Sequence, residues 1–110
     1  MFEAGAVDFA QPSVTKIGGV SEMMRIIRIA HDRGVTLVPH SPYFGPGLLA
    51  TVHIAAAMAA ETMIEYSFAA LGGNPLGDAI AVHCGRIAVP AGPGLGRDPD
   101  PQVIAKYRVA

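Results

Sequence analysis

Two apolar runs bracket a stretch with helical spacing near the start of the chain, and the pattern predicts a strand, a helix and a second strand. Residues 6–10 are apolar apart from Asp8 and stop short of Pro12, as in a buried strand leading into a loop. Gly18 and Gly19 follow as a turn. Ser21 is then the expected cap of a helix on which Met23, Met24, Ile26, Ile27 and Ala30 recur at helical spacing, while Arg25, Arg28, His31, Asp32 and Arg33 face away. Gly34 ends the helix, and the apolar, β-branched residues 35–39 make the second strand. This order, with a helix of this length, calls for a right-handed parallel crossover.

Residues 48–60 are alanine-rich and apolar on nearly every face, as expected of a helix packed between a sheet and its neighbours. A third strand is expected over 62–66. From Leu71 the character changes: Gly72, Gly73, Asn74 and Pro75 mark a loop, and 79–82 and 86–89 flank a Cys84-Gly85 turn as a hairpin. Residues 92–101, GPGLGRDPDP, are too rich in proline and glycine for regular structure, and 102–107 can form a last helical turn. Three parallel strands and two helices cannot close a barrel, and their open edges expose unpaired backbone groups. A segment preceding Met1 is therefore expected.

Composition supports that expectation. With 51% apolar and 15% charged residues in 110, the chain has little polar cover for a free-standing small domain. A net charge of −1, from 8 basic and 9 acidic residues, gives no footprint for nucleic acid or an anionic membrane. The longest apolar run, 48–60, is interrupted by His53 and is shorter than the roughly 20 residues that cross a bilayer. Cys84 is the sole cysteine, so no internal disulfide forms, and the opening residues lack the pattern of a leader. A cytoplasmic location is expected.

The chemistry-bearing residues fall at strand ends. His40 closes the second strand and Ser13 the first, and in parallel α/β barrels chemistry sits where strands end. An imidazole of ordinary pKa, about 6.5, both accepts and returns a proton near neutrality. His31 and His53 lack partners at metal spacing, and the GPGLG stretch lacks the strand and helix of a dinucleotide fingerprint; these read as structural.

These segments resemble the enolase superfamily, and within it the mandelate racemase and muconate-lactonizing enzyme group with its sugar-acid dehydratases. QPSVTKIGGVSE resembles the family's sixth barrel strand and following turn, LVPHSPYFGPG the seventh strand with its catalytic histidine, and TMIEYS the eighth. VPAGPGLG is similar too. The resemblance implies an α/β fold: the C-terminal portion of a (β/α)7β TIM-like barrel, its last three strands, in residues 1–70, with 71–110 returning to a capping domain. The barrel is incomplete.

The activity implied is removal of the proton alpha to the carboxylate of a sugar acid or other small carboxylate, by a dehydratase, an epimerase or a racemase. Mg²⁺ is the implied cofactor, since charge developing on the substrate must be neutralised; its acidic ligands and a lysine base would lie upstream of Met1, so no metal ligand is assigned in this chain. Homo-oligomers are the implied assembly of the full-length family.

Residue by residue, His40 matches the catalytic histidine. Ser13 stands where the family usually has an aspartate; its hydroxyl can orient His40 but offers no anion to stabilise the protonated ring. Glu65 matches a carboxyl group that donates a hydrogen bond to substrate, which requires the protonated acid. Glu61 is expected to cap the preceding loop. Lys16, in the TKIGG turn, and Ser41 and Tyr43, in the loop after His40, are the substrate-binding candidates. Two alternatives to an enzyme portion stay open: a catalytically inactive truncated remnant, and a small-ligand-binding module.

Overall fold

The computed structural model describes residues 1–58 and 61–109. In chain order the elements are β1 (Phe9–Ala10), α1 (Val20–Asp32), β2 (Thr36–Leu37), α2 (Pro46–Ala56), β3 (Val82–His83), β4 (Arg86–Ile87) and α3 (Pro101–Tyr107), with single 3-10 turns at Phe2–Ala4 and Gly77–Ile80.

β1 and β2 pair in parallel, Phe9 opposite Thr36 and Ala10 opposite Leu37. The backbone bonding runs further than the strands themselves. Thr36 N–H donates to the Asp8 carbonyl at 2.9 Å, Val38 to Ala10 at 2.9 Å and His40 to Pro12 at 3.1 Å, a rung at every second residue as a parallel pair requires. Regular pairing fades where Pro12 and Pro39 remove donors. The expected burial of 6–10 is not observed: Leu37 is buried, but Phe9 is 64% exposed, because the described residues pack against Leu37 and leave Phe9 uncovered.

α1 begins one residue before Ser21, with Gly19 rather than Ser21 as its cap and no side-chain cap bond. The turn explains this. Lys16 and Ile17 both donate backbone N–H to the Ser13 carbonyl and Gly19 to Val14, and the chain then reverses through Gly18 and Gly19 at φ 106° and 99°, a region open to glycine at little cost. The helix buries Met23 and Ala30 fully, while Met24, expected inside, is exposed. A two-stranded platform covers only a narrow stripe of the helix.

α2 starts with Pro46 in its first turn, where the missing N–H would be unpaired anyway. It ends at Ala56 rather than continuing to 60; Ala57 and Met58 turn off, and residues 59–60 lie outside the described residues. Its faces serve two cores. One joins Val14, Met23, Ala30 and Leu37 to Ala50 and Ile54. The other joins Leu48, Leu49 and Val52 to Leu76 and Ile80, and Leu95 packs against both. His53 Nε2 lies 3.1 Å from the Leu95 carbonyl, so this histidine ties the proline-rich tail to α2.

The third strand expected over 62–66 is not formed as a strand. The segment runs beside the end of β2, but the Thr62 hydroxyl takes the Leu37 carbonyl at 2.8 Å and Pro39 has no N–H to give, leaving one backbone bond, Glu65 N–H to the Pro39 carbonyl at 3.2 Å. The hairpin is shorter than expected, β3 against β4 in antiparallel register. Of the strand expected over 79–82, residues 79–80 belong instead to the 3-10 turn Gly77–Ile80: the Asn74 side chain accepts from Leu76 N–H and winds the chain so that Leu76 and Ile80 both enter the second core. Among the described residues no helix is long and apolar enough to cross a membrane.

Candidate active site

The parallel pairing fixes the site's frame. The His40 N–H bond to Pro12 sets His40 beside Ser13, at the ends of neighbouring segments. On the other side, Ser41 is fully buried and donates its hydroxyl to the Glu65 carbonyl at 2.7 Å. Together with the Glu65 bond to Pro39, this holds 62–66 against the end of β2 and delivers the Glu65 side chain to the imidazole.

His40 Nδ1 stands 2.5 Å from Glu65 Oε2. Both side chains are partly open, 33% and 41% exposed, yet Oε2 itself is shielded and takes no aligned hydrogen bond among the described residues. The contact is an ion-pair approach. Nδ1 is the ring nitrogen beside the carboxylate; with the ring proton held there, Nε2 carries the free lone pair. Glu65 thus lies against the His40 ring.

Ser13 does not bond to His40. It is buried, and its hydroxyl is shared with Thr15 Oγ1 at 3.1 Å and with the Tyr43 hydroxyl. Tyr43 in turn sets its ring edge-on to the His40 ring, centroids 6.1 Å apart at 90°. Sequence reasoning missed Thr15; its one available signal is a second hydroxyl two residues beyond Ser13. Ser41 spends its hydroxyl inside the fold. Lys16 is exposed in the turn after β1, without an ion-pair partner among the described residues. Glu61 pairs its carboxylate with Arg86 at 2.6 Å, both side chains largely in solvent; residues 59–60 of the loop that it is expected to cap lie outside the described residues. A cleft of 860 Å³ lies next to that pair, lined by Val52, Met58, Ile64 and Ile87 among others, and contains none of His40, Glu65 and Ser13.

Residues 1–103 match the sequence profile of the family described as Enolase C-terminal domain-like. The chain belongs to that family. Among curated relatives, it is 34% identical over 108 residues to an arabinonate dehydratase of Saccharolobus solfataricus, covering 94% of this chain and 28% of that protein. It is 32% identical over 120 residues to a D-galactarolactone cycloisomerase of Agrobacterium fabrum, covering 96% and 31%, and 31% identical to a D-galactonate dehydratase of Ralstonia pickettii, covering 94% and 29%. The chain therefore spans about a third or less of the length of these relatives. In fold, this enolase-like chain superposes on the crystal structure of "a putative racemase from Roseobacter denitrificans" with a TM-score of 0.78 at 21% identity, over 96% of this chain and 31% of that one. The α/β fold of the enolase C-terminal domain is thereby shown.

Family membership implies Mg²⁺, and the residues present do not fit it. Among the described residues no three His, Cys, Asp or Glu side chains gather as a metal site. Beside His40 and Glu65 stand hydroxyls already bonded within the protein, not the set of free oxygen donors a hard cation requires.

Proposed function

We propose that this chain is the C-terminal portion of an enolase-superfamily enzyme that removes the proton alpha to the carboxylate of a sugar acid, with residues 1–70 as the last part of its (β/α)7β barrel and 71–110 as a segment returning to its cap. The observation that carries the reading is the His40–Glu65 pair, 2.5 Å apart at the ends of adjacent segments. The dehydratases of arabinonate and galactonate among its relatives support a sugar acid as the substrate class.

In this reading His40 is the acid–base group. Its Nδ1 is turned to Glu65, so the alpha proton moves to Nε2, and the carboxylate stabilises the imidazolium that results. Returning that proton to the same carbon gives exchange or epimerisation. Delivering it to a departing β-hydroxyl releases water and completes dehydration. Lys16, exposed on the turn beside the site, is assigned to the substrate carboxylate, and Ser41 to holding Glu65 in register.

The test is deuterium incorporation at the alpha carbon when the native protein meets a panel of sugar acids with Mg²⁺ in D₂O. Incorporation that His40→Asn lowers by about a hundred- to ten-thousand-fold supports the reading, that being the usual worth of a positioned acid–base group. Absence of incorporation in a protein containing every barrel strand overturns it.

A further inference from the structure

The His40 ring has two neighbours, and the carboxylate is only one of them. The other is Tyr43, whose ring is fixed from several directions. Its N–H donates to the Ser41 carbonyl at 2.7 Å in a tight turn, and its ring packs against the second core. The bare Cα of Gly47 makes room for it, since a Cβ there would meet Tyr43 Cδ2 at 3.3 Å and Thr15 Cγ2 at 2.5 Å. Finally its hydroxyl bonds to Ser13, which is buried at the end of the first strand segment. This anchored ring stands perpendicular to the imidazole, centroids 6.1 Å apart.

We infer that Tyr43 is a positioning residue for His40: the Ser13–Tyr43 hydroxyl bond clamps the two loops at the strand ends and confines the imidazole to the orientation in which Nδ1 faces Glu65. The physical argument is rotational freedom. A histidine side chain that is a third exposed explores several rotamers unless a neighbour removes them. The carboxylate attracts either ring nitrogen; a fixed ring standing perpendicular to the imidazole, centroids 6.1 Å apart, limits which of the two reaches it. Ser13 then acts on His40 through Tyr43, without touching it. This inference rests on the assignment of His40 as the acid–base group, yet its structural content can be measured without turnover.

The experiment is nitrogen NMR of ¹⁵N-histidine-labelled native protein at a pH where the ring is neutral, with the His40 signals identified by their loss in His40→Asn. Wild type is expected to show the Nδ1–H tautomer. Tyr43→Phe, which keeps the ring and removes the hydroxyl, is expected to give a mixture of tautomers, and Ser13→Ala the same mixture, with no further change in the double variant because both remove one bond. In the exchange assay each variant should lose about tenfold in kcat with KM within about twofold, as for loss of one orienting hydrogen bond. Wild-type His40 shifts in Tyr43→Phe overturn the inference, as do effects of the two single variants that add. Should Tyr43→Phe fail to fold, Ser13→Ala removes the same bond and decides alone. Tautomer changes accompanied by full activity of His40→Asn uphold the positioning and refute the catalytic assignment.

Discussion

Ser41 donates its hydroxyl to the Glu65 carbonyl at 2.7 Å from a fully buried position, and the two residues lie 24 apart in sequence. This bond does the work of a missing ladder rung. Because the segment at 62–66 has a single backbone bond to the end of β2, side chains carry its registration, and the position of the Glu65 carboxylate depends on them.

Ser41→Ala should therefore cost more than its small size suggests. The Glu65 carbonyl loses its donor, and loss of one such hydrogen bond costs about 0.5–1.5 kcal/mol. The check is a lowered midpoint of urea unfolding with the slope unchanged, together with altered His40 ring shifts.

Glu65→Gln keeps the shape of the side chain and removes the charge facing Nδ1. Alpha-proton exchange is expected to fall about tenfold or more through kcat, since the protonated ring loses its counter-charge. A variant whose kcat is unchanged and whose KM alone rises would place Glu65 on the substrate instead of on His40.

Gly47→Ala introduces a Cβ 2.5 Å from Thr15 Cγ2. Thr15 sits on the turn anchored by Ser13, so the crowding reaches the site. Overpacking of this kind costs about 1–3 kcal/mol, and a drop in melting temperature measured by circular dichroism checks it.

Cys84 holds φ 50° beside Gly85 at φ 74° in the turn between β3 and β4. Both central residues of such a turn need positive φ, which asparagine tolerates better than cysteine. Cys84→Asn should stabilise the protein by about 0.5 kcal/mol, read as a small rise in melting temperature. Arg86→Ala, on the adjacent strand, should change stability by less than about 0.5 kcal/mol, because its pair with Glu61 is solvent-screened.

Much of the fold is legible in local pattern. The periodicity of Met23, Ile26, Ile27 and Ala30 marks α1, the glycines at 18, 19 and 34 mark its ends, and the Cys84-Gly85 pair marks the hairpin. The local pattern and the fold part where a side chain substitutes for backbone. Thr62 takes a carbonyl that a strand would have used, and Asn74 winds the chain into a turn that takes in residues 79–80, the first half of the strand expected over 79–82. At the site, His40 and Glu65 are readable as strand-end groups, but their mutual approach is not: it depends on Ser41, whose sequence context reads as a loop exposed to substrate.

The sequence by itself determined which groups are available, a histidine, a glutamate and hydroxyls at the ends of apolar runs, and it determined the α/β order, because hydrophobic periodicity and glycine placement act over a few residues at a time. Only the tertiary structure decided who faces whom. Ser13 meets Tyr43 rather than His40, and His40 meets Glu65, because those contacts are set by parallel pairing of segments distant in the chain and by the close approach that Gly47 permits. Neither condition leaves a trace in any short window of sequence.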